Sequence, residues 1–251
     1  MIPYSGLLWL IVFLGPLLVL QRSLHHEIRA ILFILTRRED IALALFSIIF
    51  FPGILLHEGS HYLTARVLRV RTGRFSLLPH LLQDGGLQLG FVETAPTDWL
   101  RDAIIGAAPF FAGGLFVAYV GFSRLGFPEL VDQVSSGNID YILHGFSVFY
   151  SQPDFWLWFY LTFTISSTMF PSSSDRRAWL PLSLVVGVLL FMSLLAGAGP
   201  WMIENIAPQL NQLLLEVAWI FGMSSFVHLI LLIPTFGFLR LLIWLKCIKV
   251  E

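Results

Sequence analysis

The chain has 251 residues, 57% of them hydrophobic and 12% charged, with a net charge of −1 and a mean hydropathy of +0.79. That composition excludes an ordinary soluble domain and a polyanion-binding surface; at roughly 20 apolar residues per crossing it supplies about six membrane spans and little else. A single cysteine, Cys247, excludes an intramolecular disulfide and a cysteine-based metal site.

The expected class is therefore an all-α polytopic membrane protein of about six transmembrane helices, one domain over residues 1–251. Leu7 to Leu20 is the first span. No basic segment precedes it and Gln21-Arg22-Ser23 follow in place of a small-residue cleavage site, so it is expected to stay uncleaved. Gln21 to Asp40 scatters Arg22, His25, His26, Glu27, Arg29, Arg37 and Arg38 around the short apolar run Ile31 to Leu35, which reads as an amphipathic segment at the interface. The adjacent His25 and His26 point in different directions and make a poor metal pair. A second span starts near Ile41, is loosened at Pro52-Gly53 and continues as helix to about Val70.

That span contains His57-Glu58-Gly59-Ser60-His61. Histidines four apart on a helix share one face about one turn apart, so both imidazoles can reach a single zinc ion at ~2.0–2.1 Å. Glu58 then lies beside the ion without ligating it, where a carboxylate can take a proton from activated water.

Beyond Arg71 the pattern changes. Phe75 to Leu78 and Leu87 to Glu93 flank Asp84-Gly85-Gly86 and predict a short β-hairpin. Its backbone cannot face lipid, so it lies at the interface or in a protein-lined cavity, and its edge could pair with an extended peptide. Trp99 to Phe122 is the third span, with Gly106, Ala107, Ala108, Pro109, Ala112, Gly113 and Gly114 crowded into its first half. Small residues let helices approach closely, and the proline leaves one carbonyl without its helical partner. Ser123 to Asp154 reads as a polar, acidic loop. The fourth span is Phe155 to Phe170, the fifth Ala178 to Leu195 and the sixth Leu213 to Ile233, after which Pro234 and Gly237 interrupt an apolar run reaching Leu245. Residues 1–40 thus form the first span and interfacial segment, 41–195 the catalytic core, and 196–251 the C-terminal spans.

Basic residues orient these spans. With the end of the His57–His61 helix in the cytoplasm, Arg66, Arg69, Arg71, Arg74, Arg101, Arg176, Arg177, Arg240, Lys246 and Lys249 all fall inside, and only Gln21 to Asp40 disagrees. The expectation is a multi-pass protein of the cell membrane with its active site toward the cytoplasm.

A catalytic zinc site needs a third protein ligand and keeps one position open. Asp175, in the polar island Pro171 to Arg177, is on the same side of the membrane as the end of the zinc helix. It suits that role, and it equally suits the first turn of the fifth span, capped by Ser172 or a neighbouring serine. Asp84, Glu93 and His80 belong to the hairpin, where turn and surface roles prevail, and His228 reads as a hydrogen-bonded core histidine.

The stretch His57-Glu58-Gly59-Ser60-His61-Tyr62-Leu63-Thr64-Ala65-Arg66 resembles the HExxHxxxAR signature of the site-2 protease family of intramembrane zinc metalloproteases. The order of hairpin, Gly/Pro-bearing span and Pro-to-Asp island fits as well, over about residues 45 to 195. The resemblance implies zinc held by His57, His61 and Asp175, with Glu58 as general base. It further implies hydrolysis of a transmembrane protein or peptide in or near the lipid bilayer, with no nucleic acid involved. The chain departs from the family in three ways: Thr168 and Met169 stand where an Asn precedes the proline, Pro171 and Asp175 are one residue closer, and Arg176 replaces a Gly. No PDZ-like insertion is present. The alternative is a catalytically inactive, protease-like membrane scaffold or transport-related protein; the intact Glu58 favours the enzyme, because a structural zinc site has no need of that carboxylate.

Overall fold

The computed structural model describes residues 5–77, 79–81 and 87–246. Leu78, the Asp84-Gly85-Gly86 turn, Cys247 and Lys249 lie outside the described residues. Helix α1 runs unbroken from Gly6 to Thr36 and stops at Arg37, whose left-handed backbone (φ 53°) lets its N–H bond the Phe33 carbonyl. The expected interfacial segment is therefore the second half of α1. Nothing in Gln21 to Thr36 breaks a helix, and the segment packs inward: Leu24 is fully buried and the Gln21 side-chain amide donates to the Ser167 carbonyl.

Helices α2 (Glu39–Ile49) and α3 (Phe51–Val67) meet at 72°, so the expected kink is a full break. Pro52, in the first turn of α3, offers no N–H to the carbonyl of Ile48. The hairpin is present as two antiparallel ladders. Strand β1 (Thr72–Ser76) pairs with β4 (Phe91–Thr94), aligning Ser76 with Phe91, and β2 (His80–Leu81) pairs with β3 (Leu87–Gln88). Helix α4 spans Trp99–Ser123 and starts at Asp98, whose carboxylate accepts the Arg101 N–H at 3.0 Å.

Between Ser123 and Asp154 the structure has two short helices where a loop was expected, α5 (Phe127–Ser135) and α6 (Ile139–Tyr150). Asn138 caps α6 by accepting the Asp140 N–H at 2.9 Å, and each helix buries an apolar anchor, Leu130 and Phe149. Then come α7 (Phe155–Thr168), α8 (Trp179–Leu195), α9 (Gly199–Asn205) and α10 (Ala207–Lys246). Contrary to expectation, α10 passes Pro234 and Gly237 without a break. A proline in an apolar helix removes one hydrogen bond, here to the Ile230 carbonyl, and the helix continues through it.

Among the described residues three helices, α1, α4 and α10, are long and apolar enough to cross a membrane, or up to five spans if α2 with α3 and α8 with α9 each count as one. Helix α7, expected as a fourth span, has 14 residues. At 1.5 Å per residue that is ~21 Å, short of a ~30 Å hydrocarbon core. It is an inner helix: Thr162 to Ser167 are buried without interruption, whereas α8 buries no residue at all.

Helices α1 and α10 pack in parallel, Gly6 N–H donating to Asn211 Oδ1 at 2.7 Å and Ser225 Oγ to Phe13 O at 3.1 Å. Helix α10 runs against α7, since Phe221 meets Phe170 just past the end of α7 and His228 meets Ser167 and Phe163 within it. The distal ends of α1 and α10, with Arg37, Arg38 and Arg240, therefore lie away from the end of α3. This corrects the expected grouping of Arg240 and Lys246 with Arg66. Helices α8 and α9 meet at 113° before α10 begins.

One contact sets the position of α3. A Cβ on Gly53 would overlap the Thr164 carbonyl of α7 and stand 2.5 Å from Thr168 Oγ1, so only glycine lets the two backbones meet. Gly53→Ala is expected to cost about 1–3 kcal/mol through overpacking. Thermal unfolding in detergent tests this against Gly59→Ala, whose Cβ would meet nothing within 4 Å; equal stabilities would refute it.

Candidate metal centre

Helix α3 turns His57 and His61 toward α7 and α4. His57 Nδ1–H donates to the Thr168 carbonyl at 2.6 Å, and His61 Nδ1–H donates to the Ile105 carbonyl at 2.8 Å. A carbonyl has no hydrogen to give, so each ring carries a proton on Nδ1. The two Nε2 atoms then face each other at 3.3 Å.

Both carbonyls are free for a reason written in the chain. In a regular helix Ile105 O would accept the N–H of residue 109, and residue 109 is Pro109. Thr168 is the last residue of α7, where final carbonyls have no helical donor. Pro171 likewise withholds an N–H from Ser167 O, the acceptor that Gln21 fills.

Asp175 enters from the segment joining α7 to α8. Its Oδ1 lies 3.3 Å from His61 Nε2 and its Oδ2 3.7 Å from His57 Nε2. Ser172 donates to Oδ2 twice, through its N–H at 2.7 Å and its hydroxyl at 2.6 Å. A Cβ on Gly106 would overlap the Asp175 carbonyl oxygen, so this glycine is what lets the segment lie on α4. The capping alternative for Asp175 is not realised: α8 begins at Trp179 behind Ala178, with no side-chain cap. Burial opposes charge on Asp175, while the Ser172 N–H and hydroxyl, both donated to Oδ2, favour the carboxylate form.

One carboxylate and two imidazole nitrogens thus converge, all within 4.8 Å of one another, and the group could hold a metal ion. Donors at ~2.0–2.1 Å from a tetrahedral ion stand ~3.3 Å apart, the spacing found here between the two histidines and between His61 and Asp175. The Nδ1–H bonds to main-chain carbonyls are the outer-shell contacts that fix ligating histidines.

Glu58 follows His57 and is buried. It faces the hairpin: a Cβ on Gly90 would stand 2.9 Å from Glu58 Cγ and 3.0 Å from Ser76 O. Gly90 is missing from the sequence reading, although an isolated glycine in a strand pattern is itself a sign of close backbone approach. His228 donates from Nδ1 to Ser224 O at 2.8 Å and accepts the Ser167 hydroxyl at Nε2, 2.9 Å away, as a hydrogen-bonded core histidine does. His25 packs edge-on against Phe46 and Phe50, apart from the metal-binding group. Glu93 is exposed and accepts the Arg74 N–H at 3.1 Å.

Comparison with protein-family models, curated proteins and solved structures finds no match for this chain. The site accordingly rests on its own geometry.

Two variants probe that geometry. Asp175→Ala removes one of three donors and is expected to abolish stoichiometric metal binding measured by elemental analysis; retention of a full equivalent would exclude Asp175 as a ligand. Pro109→Ala restores an N–H aimed at Ile105 O, in competition with His61. Outer-shell losses of this kind lower metal affinity about tenfold or more, read by competition with a chromogenic chelator. Unchanged affinity would show that the released carbonyl does not matter.

Proposed function

We propose that this chain is a membrane-embedded, zinc-dependent endopeptidase of the site-2 protease type, acting on peptide bonds of membrane-spanning substrates. The observation that carries the reading is the pairing of a three-donor centre, His57, His61 and Asp175, with a buried carboxylate on the same helix, Glu58, that is not part of the donor group. Three protein donors leave a fourth position open, which is the pattern of catalytic rather than structural zinc. Two imidazoles and a carboxylate suit zinc as the ion.

Zinc, when held there, supplies Lewis-acid chemistry, lowering the pKa of water to ~7 and polarising a peptide carbonyl. Glu58 takes the proton of the attacking water and delivers it to the amine released when the C–N bond breaks. His57 and His61 are held in orientation through their bonds to Thr168 O and Ile105 O. A helical substrate hides its carbonyls, so it has to be extended at the scissile bond. The hairpin backbone at Gly90, lying against Glu58, supports a role in holding that extended segment.

Arg66, Arg69, Arg71, Arg74, Arg101, Arg176 and Arg177 lie at or beyond the ends of α3, α4 and α7 nearest the centre. Their positive charge supports a site opening toward the cytoplasmic side of the cell membrane.

Glu58→Gln separates the enzyme from a scaffold with the same fold. The variant is expected to bind one zinc as tightly as the parent while losing cleavage of a membrane-spanning reporter by at least ~100-fold, the scale of a general base. Cleavage at the parental rate would end the protease reading.

A further inference from the structure

The hydrogen bonds within Ser172 to Arg177 knit that segment to itself: Ser172 to Asp175, and Arg176 back to the Ser172 carbonyl at 3.2 Å. They shape the loop without deciding where it sits against the two histidines. Among the described residues the polar tether between this loop and α4 is a single pair. Arg177 Nε donates to Asp102 Oδ2 and Nη2 to Asp102 Oδ1, each at 2.8 Å. That is the two-point fork in which a guanidinium fixes orientation as well as distance.

Asp102 lies in the first turn of α4, one turn before Gly106 and on the same face. Arg177 follows Asp175 by two residues. The face of α4 that seats the Asp175 carbonyl through Gly106 therefore also grips the chain just beyond it. Downstream, Ala178 is buried, but α8 itself buries no residue and adds little to hold the loop.

We infer that Asp102 and Arg177 are positioning residues for the metal centre, a clamp that presents Asp175 to His57 and His61. This rests on the metal-binding reading of the site and goes beyond it by assigning the third ligand's placement to a pair that takes no part in ligation. Without the clamp the loop and α8 pivot as one piece, and the carboxylate leaves the histidine pair. The pair is partly exposed, with 19% of the Asp102 side chain and 63% of Arg177 accessible, so its effect is on geometry more than on global stability.

The test uses the full chain in detergent, stripped of metal, with zinc affinity measured by chelator competition and the visible spectrum recorded with Co2+. Arg177→Ala and Asp102→Asn are each expected to weaken zinc binding about tenfold. The double variant should be no weaker than either single, because the two groups act as one unit. Arg177→Lys should recover part of the loss, since it keeps the charge and not the fork. The Co2+ spectrum of the single variants should shift while the unfolding temperature of the metal-free protein stays that of the parent.

Parental affinity in the single variants, additive losses in the double, or a matching fall in metal-free stability would each overturn the clamp. A parent protein that binds no zinc would overturn the metal centre itself, and the clamp with it.

Discussion

Two N–H···O=C bonds, from His57 to Thr168 and from His61 to Ile105, hold the geometry on which the rest of this centre depends. Each joins α3 to a different helix, so the histidine face is oriented from both sides at once. Each also places the ring proton on Nδ1, leaving Nε2 to bind. The acceptors are main-chain groups released by ordinary helix rules, a proline one turn ahead in α4 and a helix end in α7. Because the carbonyl end of α7 points at His57, its partial negative charge also favours a cation in the centre.

The membrane setting explains why the third donor arrives on a loop. A carboxylate within an apolar span is costly, and Asp175 avoids that cost by sitting in the polar island after α7, where Ser172 supplies two hydrogen bonds to one of its oxygens. Helix α7 is short enough to end inside the bundle, which brings that island down to the level of the histidines. Helix α10 packs along it, and α1, α8 and α10 each expose a long run of large apolar side chains.

Much of this was readable from the residues. His57, Glu58 and His61 announce themselves by spacing, and the helix–hairpin–helix order follows from the change in pattern at Arg71 and Trp99. Asp175 was not decided locally, because an aspartate before an apolar run is as good a helix starter as a ligand. The errors have a common source in helix breaks. Pro52 ends one helix and starts another, whereas Pro234 does neither, and residue type alone does not tell these apart. The amphipathic helices α5 and α6 were hidden in a stretch whose acidic residues outweigh its few anchors, Leu130 and Phe149. The roles of Ile105, Thr168 and Gly90 had no side-chain signal, since each acts through its backbone.

That last point bears on how such a site would drift over generations. Ile105 and Thr168 serve through carbonyl oxygens that every amino acid possesses, so the bonds from His57 and His61 place no demand on their identities. The positions that cannot change freely are those that permit the approach: Pro109, which frees a carbonyl, and Gly53, Gly90 and Gly106, where any Cβ would collide. In a lineage descending from this chain, the imprint of the metal centre would persist as three glycines and a proline around the ligands, while the residues that actually touch the histidine protons would vary.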